Sequence, residues 1–316
     1  MPRIVVVGEG MVELARDPDV GGGCWRLGHG GDTLNTAIHL ARLGCDVAFM
    51  TALGDDLFSH DLRRAWAREG IDTALVLTDP DRHPGLYATA NDPDGERHFT
   101  YWRDESAARR LFALPGIEAD LAVAARADLL LFSMVSLAVL PPEGREALLD
   151  LAASVRARGG RVAFDSNYRP ILWHDRAEAR AAHAAAMRLV DIGLPTLEDE
   201  AALAGTGDAA AVLDRWRAAG VGEVAVKCGG EGCVVNGTVV PPPARLTPLD
   251  TSGAGDAFNA GYLHARLAGQ PPAAAARTGH RLAAWVIMSR GAIPPLTPDA
   301  PYAALAIGQT NLDRLD

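Results

Sequence analysis

Short apolar runs alternate along the chain with longer stretches whose apolar residues recur every three or four positions. The first pattern is that of a buried strand and the second that of an amphipathic helix. Ile4-Val5-Val6-Val7 is the first such run, and Gly8-Glu9-Gly10 turns out of it. Residues 11–29 are mixed and punctuated by glycine. Gly30-Gly31-Asp32 then opens a helix with Leu34, Ile38, Ala41 and Leu43 at helical intervals. Residues 47–50 predict the next strand and 57–69 the next helix. From 74 to 101 the period falls to two. Segments 75–78, 86–90 and 97–101, joined by Asp-Pro and Asp-Gly turns, predict β-hairpins outside any β-α-β unit.

The second half alternates again. Strands are predicted at 128–132, 162–165, 191–194 and 223–226, and helices at 143–158, 178–189, 198–204 and 209–219. A hairpin at 232–240 precedes a helix after Gly253, and a last helix covers 272–289. This order predicts an α/β fold with a doubly wound, mainly parallel sheet. The hairpin segment at about 84–103, with part of 11–29, predicts a small β-sheet lid on one domain spanning 1–316. Ligands of such sheets bind at the carboxyl ends of the strands, where Asp165, Arg169 and Asp256 fall.

Composition narrows the function classes. The 316 residues are 48% apolar and 22% charged, enough for a sizeable core, and the net charge of −10 opposes nonspecific binding to nucleic acid or anionic membranes. Lys227 is the only lysine among 30 basic residues. Four cysteines without paired CxxC spacing suit a reducing compartment and suggest no zinc site. With no leader-like segment and no membrane-length apolar run, a cytoplasmic location is expected.

Chemistry concentrates in Asp250-Thr251-Ser252-Gly253-Ala254-Gly255-Asp256, between a Pro-rich loop at 241–248 and an apolar helical stretch. A glycine turn at a helix start offers unpaired N–H groups to an anion and lets a phosphoryl group approach closely. Asp256, in the first helical turn, is either an ordinary cap or a base beside the reacting oxygen. Other phosphate and catalytic motifs fail. Gly8-x-Gly10 lacks the third glycine of a dinucleotide fingerprint, and Lys227 is followed by Cys228, which excludes a Walker A loop. Glu223-Val-Ala-Val-Lys227 echoes a protein-kinase strand without its partner motifs, and HExxH and GxSxG are absent.

Three ordered segments carry a resemblance. Asp250 to Phe258 is similar to the C-terminal signature of the ribokinase, or phosphofructokinase-B, family of sugar kinases. Gly30-Gly31-Asp32-Thr33-Leu34-Asn35-Thr36-Ala37 with Leu40-Ala-Arg-Leu-Gly44 resembles its N-terminal signature, and Val226-Lys227-Cys-Gly229-Gly230-Glu-Gly232 its nucleotide loop. Phe164-Asp165-Ser166-Asn167-Tyr168-Arg169-Pro170, Tyr101-Trp102-Arg103-Asp104-Glu105-Ser106-Ala107-Ala108 and Arg290-Gly291-Ala292-Ile293-Pro294 look like the 2-keto-3-deoxygluconate kinase branch. The resemblance implies a ribokinase-like fold and ATP-dependent phosphorylation of that sugar acid at its terminal hydroxyl, giving the 6-phosphate. Alternatives are a fructokinase or ribokinase type, and a sugar-binding regulator without catalysis.

Under that resemblance Asp256 is the base, and the N–H groups of Gly253, Ala254 and Gly255 stabilise the transferring group. Gly31, Asp32, Asn35, Tyr87 and Tyr101 are expected at the sugar. Arg103 and Arg169 could meet its carboxylate, ATP phosphates, or simply a surface acid. Ser166, Asn167, Arg169, Lys227, Gly229, Gly230, Gly232, Gly253 and Gly255 are expected on the ATP side. Magnesium is expected with ATP. Where the family has Asn-x-x-Glu this chain has Thr196-Leu197-Glu198-Asp199-Glu200, so the metal-shell carboxylate is unassigned. Asp250 and Thr251 are candidates for a monovalent-cation site. Lids in related kinases pair between subunits, which implies a homo-oligomer.

Overall fold

Strand β1 (Arg3–Val7) sends Ile4 and Val6 into one buried cluster and Val5 and Val7 into another, as period-two alternation requires of a strand covered on both faces. The computed structural model describes residues 2–16, 23–91 and 97–306. After β1 come β2 (Met11–Arg16), β3 (Trp25–Gly30), α1 (Asp32–Arg42), β4 (Asp46–Leu53), α2 (Leu57–Arg68) and β5 (Val76–Thr78). The antiparallel pair β6 (Leu86–Asn91) and β7 (Arg97–Trp102) follows, then a 3-10 turn at Ala107–Ala113 and α3 (Ile117–Ala124). Next are β8 (Leu129–Ser133), α4 (Met134–Val139), α5 (Pro142–Ala157), β9 (Arg161–Asp165), α6 (Arg176–Met187), β10 (Ile192–Gly193), α7 (Leu197–Ala204), α8 (Ala209–Ala218) and β11 (Glu223–Lys227). The described chain ends with β12 (Cys233–Val235), β13 (Thr238–Val240), α9 (Ala254–Leu267), α10 (Pro272–Val286) and α11 (Tyr302–Leu305).

Nine strands form one sheet in the order β13-β12-β11-β10-β9-β8-β1-β4-β5, parallel except at the β11-β12-β13 edge. Leu148, Val155, Ala186 and Trp216 pack on one face, and Leu34, Trp66, Phe258, Tyr262 and Leu282 on the other. The chain runs outward from β1 first towards β5 and then the opposite way, so a crevice opens where the order reverses. The doubly wound, mainly parallel expectation therefore holds.

The segment at 75–78, expected in a hairpin, instead joins the large sheet as edge strand β5, parallel to β4. Three residues are too few for periodicity to tell the two apart. Arg63 covers this exposed edge by donating to the Leu77 carbonyl at 2.8 Å and to Thr78 Oγ1 at 2.8 Å. The strand expected at 191–194 is regular only at Ile192 and Gly193, but the N–H groups of Asp191 and Leu194 also donate to β9, at the Val162 and Phe164 carbonyls. Helices α3, α4 and α11 are additional to the sequence expectation.

A second sheet, β3-β2-β6-β7, has β2 parallel to β6 and its outer pairs antiparallel. It draws on both segments expected to form the lid. The connections at 17–22 and 92–96, with the Asp92-Pro93 and Asp94-Gly95 turns, lie outside the described residues. The register puts Glu13, Tyr87 and Tyr101 on one face, and Leu14, Leu27 and Ala88 on the other. On that second face Trp25, Leu27 and Trp102 are 48%, 54% and 58% exposed.

Candidate active site

The carboxyl ends of β1, β8, β9 and β11 and the first turns of α1 and α9 carry a connected set of polar side chains. Gly253 caps α9 in a left-handed conformation (φ 72°), and a Cβ there would lie 2.7 Å from Ala292 Cα, so both conformation and space require glycine. Asp256 follows in the first turn. Its carboxylate accepts a 2.8 Å hydrogen bond from Asn35 Nδ2, and its carbonyl one of 3.3 Å from Thr36 Oγ1. Burial, with the Asp32 charge adding to it, pushes the Asp256 carboxyl up to about 8, against the pull of the Asn35 hydrogen bond. A carboxylate of that basicity is suited to accept a proton near neutral pH.

Asp32 is held from two other strands. Its Oδ2 accepts from Ser133 Oγ at 2.6 Å and from Asn167 Nδ2 at 2.9 Å. Ser133 reaches it because a capping box with Ser136 fixes the β8-to-α4 turn. On the other flank Lys227 Nζ donates to Asp165 at 2.9 Å and to Asn259 Oδ1 at 3.1 Å, while Asn259 Nδ2 donates to Asp165 at 2.6 Å. The ammonium lies 3.6 Å from where a Cβ on Gly255 would be. A fixed positive charge thus stands beside the helix start, adding to the dipole and first-turn N–H groups. The Ala254 N–H, expected to face the transferring group, donates instead to the Thr251 carbonyl at 3.2 Å, closing the turn that seats Gly253.

The remaining expected residues fall into two flanking groups. Around β1 and the small sheet, Arg103 is buried in an ion pair with Glu9, its guanidinium 5.7 Å from the centre of the Tyr101 ring. Arg103 therefore does not offer a bare charge to an anion. Tyr87 and Tyr101 have ring centres 6.0 Å apart, and the Tyr87 hydroxyl lies 2.3 Å from where a Cβ on Gly30 would be. At Gly31, the cap of α1, φ is 156° and a Cβ would meet the Glu9 carbonyl at 2.2 Å.

On the β9–β11 side Arg169 donates to Asp199 at 3.1 Å. Burial pushes Asp199 up to about 6, opposed by Arg169. Ser166 Oγ accepts the Thr196 N–H at 3.1 Å and so braces the start of α7 instead of standing open. Gly229 (φ 55°) and Gly232 (φ 95°) close the turn after Lys227, where a Cβ at Gly232 would lie 2.4 Å from the Val240 carbonyl, and Gly230 faces open space. Glu200 is buried, bonded to Trp216 Nε1 and ion-paired with Arg215, which makes it structural. Asp250 accepts from the N–H groups of Ser252 at 2.9 Å and Gly291 at 2.8 Å. Among the described residues no group of three or more His, Cys, Asp or Glu is placed to hold a metal ion, and no helix is long and apolar enough to cross a membrane.

Four side chains in this network were not singled out from the sequence: Glu9, Ser133, Thr36 and Asn259. Asn259 carried a usable signal, since it follows Asp256 by three positions on a helix whose neighbours are apolar.

Comparison with known proteins adds an independent line. Residues 1–300 match the pfkB family of carbohydrate kinases. The chain is 42% identical over 305 residues to the 2-dehydro-3-deoxygluconokinase of Escherichia coli (strain K12), covering 93% of this chain and 97% of that protein. It is 40% identical, with the same coverage, to the 2-dehydro-3-deoxygluconokinase of Dickeya dadantii (strain 3937). Among solved structures, the PfkB protein from Polaromonas sp. JS666 superposes with a TM-score of 0.82 at 28% identity, over 96% of this chain and 99% of that one.

Proposed function

The chain belongs to the pfkB family of carbohydrate kinases, and from that premise we propose that it transfers the γ-phosphoryl group of ATP to the terminal hydroxyl of 2-keto-3-deoxygluconate, giving the 6-phosphate. The observation that carries this reading is the half-buried Asp256 and the raised basicity of its carboxyl. Asp256 stands in the first turn of a glycine-capped helix, held by Asn35 from one side and with Lys227 near the same turn. The relatives named as 2-dehydro-3-deoxygluconokinases supply the substrate.

In this reading Asp256 accepts the proton of the attacking hydroxyl while the N–H groups of Gly253 and Gly255 and the Lys227 ammonium face the transferring group. Asp32 and Asn35 bind sugar hydroxyls, with Tyr87, Tyr101 and the backbone at Gly31 closing the other side. Arg169, half exposed and shared with Asp199, is freer than Arg103 to meet the sugar carboxylate. Asn167, Gly229, Gly230 and Gly232 line the ATP side. Glu198, whose Oε1 lies 4.0 Å from where a Cβ on Gly229 would be, is the carboxylate placed to meet the water shell of a magnesium ion on the ATP side. Bound with ATP, magnesium would neutralise phosphate charge. The small sheet acts as a lid that excludes water, and its exposed Trp25, Leu27 and Trp102 support a homo-oligomer in which that face meets a second copy. The proposed setting is the cytoplasm, where ATP is held and free cysteines persist.

The test is a coupled ADP-release assay with 2-keto-3-deoxygluconate, its galactonate analogue, fructose and ribose. The keto acids should exceed the neutral sugars in kcat/KM by roughly a hundredfold or more, because a site built to pair a carboxylate is left with an unpaired charge otherwise. Better turnover of a neutral sugar would overturn the substrate assignment, and tight sugar binding without ATP turnover would favour a regulator.

A further inference from the structure

The loop at 290–294 backs the Gly253 turn, and three side chains, two of them on α1, grip it. Ala292 is the residue that a Cβ on Gly253 would strike, so its position fixes how closely the turn can seat. Asp250 accepts the Gly291 N–H at 2.8 Å, and Arg42 donates to the Pro294 carbonyl at 2.7 Å while forming a two-pronged pair with Glu69. Between these grips His39, fully buried on α1, lies 3.0 Å from the Ala292 carbonyl through Nε2 and 2.8 Å from the Tyr302 hydroxyl through Nδ1.

The partners fix the tautomer. A carbonyl only accepts, so Nε2 carries the hydrogen. In a neutral ring Nδ1 then accepts from the Tyr302 O–H. Burial keeps the ring neutral by pushing it down to about 4. His39 sits one helical turn beyond Asn35, the residue that holds Asp256. The polar seam Asp32, Asn35, Thr36, His39 of α1 therefore touches the sugar side, the base and the loop behind the anion turn in succession.

We propose that His39 is a positioning residue for phosphoryl transfer: by donating from Nε2 to the Ala292 carbonyl it holds the 290–294 loop against Gly253 and so sets the anion-binding start of α9. This rests on the kinase reading above. A purely structural histidine would tolerate either half of its bonding being kept. A positioning one depends on the Nε2 half.

His39→Gln retains a donor near Nε2, and His39→Asn retains a group near Nδ1. Initial rates over ATP and sugar concentrations, calorimetric binding of a non-hydrolysable ATP analogue, and thermal unfolding are measured for both and for Tyr302→Phe. The Asn variant is expected to lose roughly tenfold in kcat/KM for ATP, the worth of one buried hydrogen bond, with analogue binding weakened in step and the sugar KM within about twofold. The Gln variant should stay within about threefold of wild type, and Tyr302→Phe should fall between them. Equal losses in the Gln and Asn variants, an Asn variant matching wild type, or a loss confined to the sugar KM would overturn the proposal. If the Asn variant does not fold, Tyr302→Phe decides, since it leaves the ring in place and frees its orientation, with Arg42 losing only a long 3.4 Å contact and keeping its 2.7 Å bond to Pro294. An inactive wild type would overturn the kinase reading, and analogue binding would still decide the role of His39.

Discussion

Replacing Asp256 by asparagine should inactivate the protein and stabilise it, and the gain should grow with pH. Burial pushes the Asp256 carboxyl up to about 8 in the folded chain, against an ordinary aspartate value of 3.8. Between those values the unfolded chain has released the proton and the folded chain keeps it, so the folded state binds more protons and loses stability as pH rises. At about 1.4 kcal/mol per pH unit over about four units, the ceiling is about 6 kcal/mol, fully developed above pH 8. Water drawn towards the ionised carboxylate recovers part of this, so a difference of about 2–5 kcal/mol is expected. Asparagine has the same shape and no charge to bury. The assay is urea unfolding of wild type and Asp256→Asn at intervals from pH 4 to pH 9, taking the difference so that all other titrations cancel. Turnover with 2-keto-3-deoxygluconate and ATP should fall by roughly two to four orders of magnitude in the same variant, as loss of a general base predicts. A stability difference that stays flat from pH 4 to pH 9 would refute the burial argument. Near-wild-type turnover would refute the role of base.

Three further outcomes follow from the same geometry. Asp32→Asn removes the neighbouring charge that raises Asp256, so the acid limb of the kcat/KM profile should move down by roughly one pH unit, alongside weaker sugar binding; an upward shift would contradict the charge argument. Lys227→Met leaves the buried Asp165 carboxylate with only the Asn259 amide and the Asn167 N–H and no counter-charge, and urea unfolding should show a loss of about 3 kcal/mol; an unchanged midpoint would mean the pair is not fixed as described. Gly253→Ala forces a methyl group into Ala292 at a positive φ, so it should cost about 1–3 kcal/mol and raise the KM for ATP more than that for the sugar; equal rises would separate the turn from the nucleotide.

The sheet and its long helices were legible because their periods are long and regular. Ile4 to Val7 and the Leu34–Ile38 spacing on α1 needed no partner to be read. What escaped was set by contacts distant in sequence. Thr36 and His39 look like solvent-side polar positions by pattern, yet both are buried, because their partners come from α9, the loop at 292 and Tyr302. Glu9 reads as a turn residue until Arg103 arrives to pair with it. Short elements failed for a different reason. Strand β5 and helix α4 contain too few residues to display a period, and α4 is buried on every side, which erases the polar face a helix normally shows. The glycine turn and Asp256 were readable because they need particular residues for reasons internal to the segment.

The hydrogen bond from Asn35 to Asp256 joins positions 221 apart in the chain. Neither half of the protein therefore contains a usable fragment of the machinery. A nascent chain still on the ribosome, or a product clipped before α9, lacks both Asp256 and the glycine-capped helix start, and its Asn35 amide has no carboxylate to meet. Under the kinase reading proposed above, such incomplete chains should not turn over ATP, so the activity awaits the meeting of two segments that lie far apart in the chain.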